Sequence, residues 1–215
     1  MTAILGLKKV INGKPSVIVG SDSLFVAGWK RINAKDRSKL IAFPDFIVGF
    51  SGICTIQRVL YDIQKDAKLL KQPMFKMSGE EDALAFGTLV FSEVKSRLED
   101  LGESFNDTVG NLVIATPTKL FEVDRFAFAI ECEEYATSGC VDDFLSGYLA
   151  AKYSGVDTDQ DLVDLLYESL EAAVKHSTGV HPPIIMKRPV KSTKSYKNKS
   201  KSKSKKVKKD KSSAI

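Results

Sequence analysis

The chain reads as an α+β protein, a four-layer αββα sandwich followed by a disordered basic tail, and three observations predict this. Periodicity changes along the sequence in the order strands, two helices, strands, two helices, which suits stacked layers better than alternating βαβ units. The strand segments are apolar at nearly every position, as expected when both faces of a sheet are covered. The composition then changes abruptly near Lys187, which places one domain over residues 1–186 and a disordered lysine-rich tail over residues 187–215.

The elements follow in order. Residues 2–10 and 15–21 form two strands joined at Asn12-Gly13-Lys14, a hairpin signal. Residues 24–33 and 38–43 read as two more strands, with Gly28 as a bulge or turn, and the apolar run Phe46–Phe50 leads into Ser51-Gly52. From Ile53 to about Leu70 the spacing is helical, with Ile56, Val59, Leu60, Ile63 and Ala67 on one face, and Lys71-Gln72-Pro73 ends it. A second helix starts after Ser78, carries Glu80-Glu81 at its positive end, and presents Leu84, Leu89, Val90, Val94 and Leu98, with Gly102 just past its end. Strand character returns over residues 111–135: Leu112–Thr116 and Leu120–Val123 flank a turn at Pro117, and Phe126–Ile130 follows. Thr137-Ser138-Gly139-Cys140 turns into a helix at about 142–153, and another spans about 158–176 with Asp157 or Thr158 as its cap. Ile184-Ile185-Met186 is a last short strand.

Charge divides the chain. Residues 191–215 hold eleven lysines and one aspartate, leaving 21 basic and 26 acidic side chains on the rest, so a mildly acidic body precedes a strongly basic tail. Such a tail suits counterion-release contacts with nucleic acid or acidic partners; equally, it suits a solubilising extension. Tyr196 is its single aromatic residue, too little for stacking-based base recognition. No apolar run is long enough for a membrane span and no secretory signal is visible. Cys54, Cys132 and Cys140 are an odd, unclustered set, read as free thiols in the cytoplasm. With two histidines, His176 and His181, no metal pattern, nucleophile elbow or phosphate loop is present, and no cofactor is expected.

The start of the chain carries a different chemistry. Met1 is followed by the small residue Thr2, the context in which methionine aminopeptidases remove the initiator and leave a residue with both a hydroxyl and a free α-amine. Together with Gly20-Ser21-Asp22-Ser23, Ala27-Gly28, Ser38-Lys39-Leu40-Ile41, Gly49-Phe50-Ser51-Gly52 and Ser138-Gly139-Cys140, this order resembles the proteasome β-subunit group of N-terminal nucleophile hydrolases. It is most similar to HslV-type peptidases and to short proteasome-like proteins of bacteria and phages, over about residues 2–186. Leu170–Ala173 and Ser177–Pro183 echo the phage-like branch.

The resemblance implies a threonine-type peptidase. Thr2 would be the nucleophile and its amine the base. Asp22 would pair with Lys39, whose charge favours the developing alkoxide, and the Gly52 N–H would donate to the oxyanion. Either Ser138 or Cys140 would support the amine: the first matches by its Ser-Gly pair, the second by its distance to Gly147. It also implies a homo-oligomeric ring fed by an ATPase unfoldase, with unfolded polypeptides or peptides as substrates. The chain departs from the family at Lys175-His176-Ser177-Thr178-Gly179, where an Asp-x-x-Ser-Gly pattern would stand. That departure motivates one alternative, a catalytically inactive scaffold or assembly protein of the same fold. The tail motivates another, a nucleic-acid-associated protein.

Overall fold

The protein is described from a computed structural model, which describes residues 2–27, 30–33, 38–70, 75–106, 109–126 and 128–190. The expectations for Gly28, for the Lys71–Pro73 stop and for the tail beyond residue 190 lie outside these residues, as does the side chain of Ala67, whereas Lys187, placed in the tail, ends a strand and Arg188 is bonded to Ser16 and Asp159.

Strand β1 (Ala3–Ile11) turns through Asn12 and Gly13, both at positive φ, into β2 (Lys14–Ser21). Side chains along β1 alternate between two cores. Ala3, Leu5 and Leu7 face one helical layer, whereas Ile4 faces the other sheet. The strand is therefore apolar at successive positions because both of its faces are covered. A four-stranded antiparallel sheet forms in the order β10-β1-β2-β11, where β10 is Tyr135–Gly139 and β11 is Ile185–Lys187. Leu145 and Leu149 of α3 (Asp142–Lys152) and Leu162, Leu166 and Leu170 of α4 (Asp159–His176) pack on its outer face.

The second sheet has the order β5-β6-β7-β8-β9, with β5 Leu40–Ala42, β6 Ile47–Phe50, β7 Leu112–Ala115, β8 Leu120–Val123 and β9 Ala129–Glu131. Helices α1 (Cys54–Leu70) and α2 (Glu80–Asp100) cover it through Ile56, Leu60, Phe86 and Val90, packed on Ile114 and Phe121. Ile4, Val19, Leu40, Ile47, Val113 and Leu120 fill the space between the sheets. The result is the four-layer αββα sandwich.

Four details differ from the sequence reading. The segment 24–33 is two strands, β3 (Leu24–Ala27) and β4 (Lys30–Asn33), paired with each other in a separate two-stranded sheet. The buried face of α2 is Ala83, Phe86, Val90, Phe91, Val94 and Leu98, while Leu84 and Leu89 are exposed. The aromatic rings Phe43, Phe46 and Phe75 gather around Phe86 and set that rotation. Phe126 and Phe128 lie on an exposed turn ahead of β9 rather than in a strand. Thr137–Gly139, read as part of a turn into a helix, ends the strand Tyr135–Gly139 because its backbone pairs with β1.

At α4 the cap is Thr158, whose side chain accepts from the Asp161 N–H while Asp161 reaches back to the Thr158 N–H, a complete capping box. Among the described residues no helix is long and apolar enough to cross a membrane.

Candidate active site

Thr2 enters β1 almost fully buried. The register Ala3↔Gly139 brings the start of β10 against it, and its carbonyl accepts the Cys140 N–H at 2.9 Å and the Cys140 thiol at 3.5 Å. This approach needs glycine at 139. Gly139 has φ +121°, and a Cβ there would lie 1.9 Å from the Thr2 carbonyl oxygen.

Asp22 follows the end of β2 and is fully buried. Its Oδ1 accepts the Lys39 ammonium at 2.7 Å and the Ala3 N–H at 2.9 Å. Its Oδ2 accepts the Leu24 N–H at 3.1 Å and the His181 N–H at 3.4 Å. Four donors saturate the carboxylate, which compensates its removal from water. Lys39 is 1% exposed, and burial pulls its ammonium below the ordinary range while Asp22 opposes that pull. The Cys140 and Cys54 thiols are also within electrostatic reach of it. Removing either partner leaves a buried unpaired charge, a loss of about 3–5 kcal/mol in comparable sites.

Gly52 sits between β6 and α1 at φ +89°, and a Cβ there would fall 2.0 Å from the Val109 carbonyl oxygen. Ser51, one residue earlier, is anchored to Asn111: its N–H donates to the Asn111 carbonyl at 3.0 Å, and its hydroxyl accepts the Asn111 N–H at 3.1 Å. The Ser51 hydroxyl also meets the Ser138 hydroxyl at 2.7 Å, with both residues buried. Thr2, Ser51, Gly52, Ser138 and Cys140 line one cavity of about 270 Å³, together with Asn111, Arg125 and Asp142. The buried Asp22–Lys39 pair is tied to it through Ala3, the residue after Thr2.

The six candidate catalytic residues, Thr2, Asp22, Lys39, Gly52, Ser138 and Cys140, therefore lie in or against this one region. Ser138 is buried and hydrogen-bonded through its side chain, whereas Cys140 is exposed and meets Thr2 chiefly through its backbone. The loop that departs from the family pattern is also close. His176 and Ser177 line an adjoining cavity that shares Gly139, Cys140 and Asp142, while Thr178 is exposed. Sequence reasoning missed Ser51, Asn111, Arg125 and Asp142. Ser51 had a visible signal, since it lies inside the Gly49–Gly52 stretch already singled out; the other three arrive by strand pairing and by the β8–β9 turn. Behind Asn111, the Glu122 carboxyl is pushed above its ordinary range, first by burial and then by the Asp142 charge. Among the described residues no group of side chains is arranged to hold a metal ion.

No protein-family model matches the chain, and no curated protein matches it by sequence. Solved structures do. BPH from Thiobacillus denitrificans in complex with epoxomicin superposes with a TM-score of 0.67 at 16% identity, over 87% of this chain and 97% of that one. BPH alone gives 0.68 at 17% identity, over the same shares. Anbu (ancestral beta-subunit) from Yersinia bercovieri gives 0.70 at 19% identity, over 89% of this chain and 83% of that one. With its two stacked antiparallel sheets between helical layers, this chain has the fold of the proteasome-like N-terminal nucleophile hydrolases.

Proposed function

We propose that the protein is a threonine-type peptidase whose nucleophile is Thr2, exposed by removal of Met1. One observation carries this reading: Thr2, Gly52 and Ser138 line a single cavity beside a buried Asp22–Lys39 pair. The Thr2 hydroxyl attacks the peptide carbonyl and its proton passes to the Thr2 α-amine, directly or through water. The Gly52 N–H donates to the oxyanion, and the Lys39 ammonium favours the alkoxide. The C–N bond then breaks, the leaving amine takes the proton, and water hydrolyses the resulting ester to restore Thr2. Ser138, the buried hydroxyl of the two candidates, supports the amine. The exposed Phe126 and Phe128 ahead of the edge strand β9, with Ile130 on that strand, support self-association, in keeping with a ring fed by a separate ATPase.

The second reading is an inactive scaffold of the same fold. It is favoured by the absence of a carboxylate from residues 175–179. One experiment separates them. Intact mass shows Met1 absent, and epoxomicin, the molecule bound to BPH, adds one equivalent of mass to wild type and none to Thr2→Ala. Retention of Met1, or labelling that survives Thr2→Ala, overturns the peptidase reading.

A further inference from the structure

Ser51 has a hydroxyl with three neighbours and one hydrogen to give. The Asn111 N–H already donates into it at 3.1 Å. Its own hydrogen has two candidate acceptors, the Asn111 carbonyl at 3.4 Å and the Ser138 hydroxyl at 2.7 Å. The carbonyl already accepts the Ser51 N–H at 3.0 Å, and the hydroxyl contact with it at 3.4 Å is much longer than the 2.7 Å contact with Ser138. Either hydroxyl can donate in the 2.7 Å contact; when Ser51 donates, the O–H of Ser138 is left to donate elsewhere. Ser138 is 1% exposed and shares the cavity with Thr2, on the strand that pairs directly with β1.

We propose that Ser51 is a positioning residue: it orients Ser138 so that a one-way chain of donors runs from the Asn111 N–H through both hydroxyls and ends on the Thr2 α-amine. A donor aimed at the lone pair favours the neutral amine over the ammonium, and each bond in such a chain polarises the next. The amine is thereby held as the free base that a peptidase needs, so the inference deepens that reading and rests on it for its functional meaning. The titratable groups around the site are the Asp22–Lys39 pair, Arg125 and Asp142 in the wall, the Cys140 thiol, and Glu122 behind Asn111. None of these is removed by truncating Ser51, so a change in the amine's titration after truncation reports the chain of hydroxyls.

The test reads the amine directly. The pH dependence of Thr2 N-acetylation by acetic anhydride, followed by peptide mass spectrometry, gives its titration midpoint in wild type, Ser51→Ala, Ser51→Thr, Ser138→Ala and the double alanine variant. Ser51→Ala raises the midpoint by about half a pH unit, the scale of one neutral hydrogen bond, and Ser51→Thr restores it. Ser138→Ala shifts it in the same direction, and the double variant adds nothing further because both act in one chain. In turnover, the acid limb of kcat/KM moves up with the midpoint while KM is unchanged. An unmoved midpoint in Ser51→Ala, or additive shifts in the double variant, overturns the proposal even if wild type cleaves peptides. The expected shifts without any peptide cleavage sustain it and sink the peptidase reading instead.

Discussion

Glu122 is a carboxylate held where carboxylates are uncomfortable. Burial and the nearby Asp142 raise its affinity for a proton above that of the unfolded chain, with a 3.5 Å hydrogen bond from Asn111 opposing them. A raised carboxyl stabilises the fold below the unfolded value and loses that contribution as pH rises through the folded one. Glu122→Gln removes the charge, so its melting temperature exceeds that of wild type at pH 8. The advantage shrinks toward the ordinary value of 4.5. An equal gain at every pH sinks this account, and a melting series across pH decides it. Asp22 and Lys39 were singled out through the order of motifs that carries the resemblance, and their side chains meet at 2.7 Å. Ser51, Asn111, Arg125 and Asp142 were not, because such residue types are ordinary and only long-range pairing brings them to one cavity.

At the scale of elements, the strongest local signals held: the Asn12-Gly13 hairpin, the Thr158 cap and the Gly102 stop at φ +72°. Thr137–Gly139 escaped because the five residues of β10 have no alternation strong enough to declare a strand, and β1 supplies the missing partner. Phase along α2 was misread for a related reason. Leu84 and Leu89 look apolar enough to be buried, but Phe86 is the residue that the other sheet-side rings receive. Two glycines test how locally these elements are determined. Gly139→Ala introduces a side chain at φ +121° against the Thr2 carbonyl, and destabilises by about 2 kcal/mol or more. Gly147→Ala, in α3 with nothing within 4 Å of the new carbon, stabilises by roughly 0.5–1 kcal/mol. Urea denaturation of the two variants measures the contrast, and a stable Gly139→Ala contradicts the tight approach of β10 to Thr2.

For the whole molecule, layer order followed from grouping and patterning alone: strands without a polar face demand cover on both sides. The separate β3–β4 sheet did not, since nothing in residues 24–33 distinguishes one bulged strand from a hairpin. The division of charge also belongs to this scale. An acidic body with eleven lysines in its last 25 residues has the charge pattern for counterion-release contact with polyanions, and the lysines are the expected point of contact. Deleting residues 191–215 therefore abolishes salt-sensitive retention on an immobilised polyanion and leaves epoxomicin labelling unchanged. Retention that persists after the deletion places the polyanion contact on the body.

The wiring around Asp22 has a further consequence, for the order in which the protein is made. Its carboxylate is completed by donors from Ala3, Leu24, Lys39 and His181, and Ser23 in turn donates to the His181 carbonyl at 3.2 Å. β2 gains its outer neighbour only when β11 has been synthesised. The ribosome delivers Lys39 well before His181, an interval on the order of ten seconds at ordinary elongation rates. Throughout that interval the growing polypeptide holds the front half of its charged centre without the segment that closes it. A nascent chain thus carries Thr2 in an unfinished setting until nearly the last residue of the body has emerged, and premature termination anywhere before that point leaves the centre open.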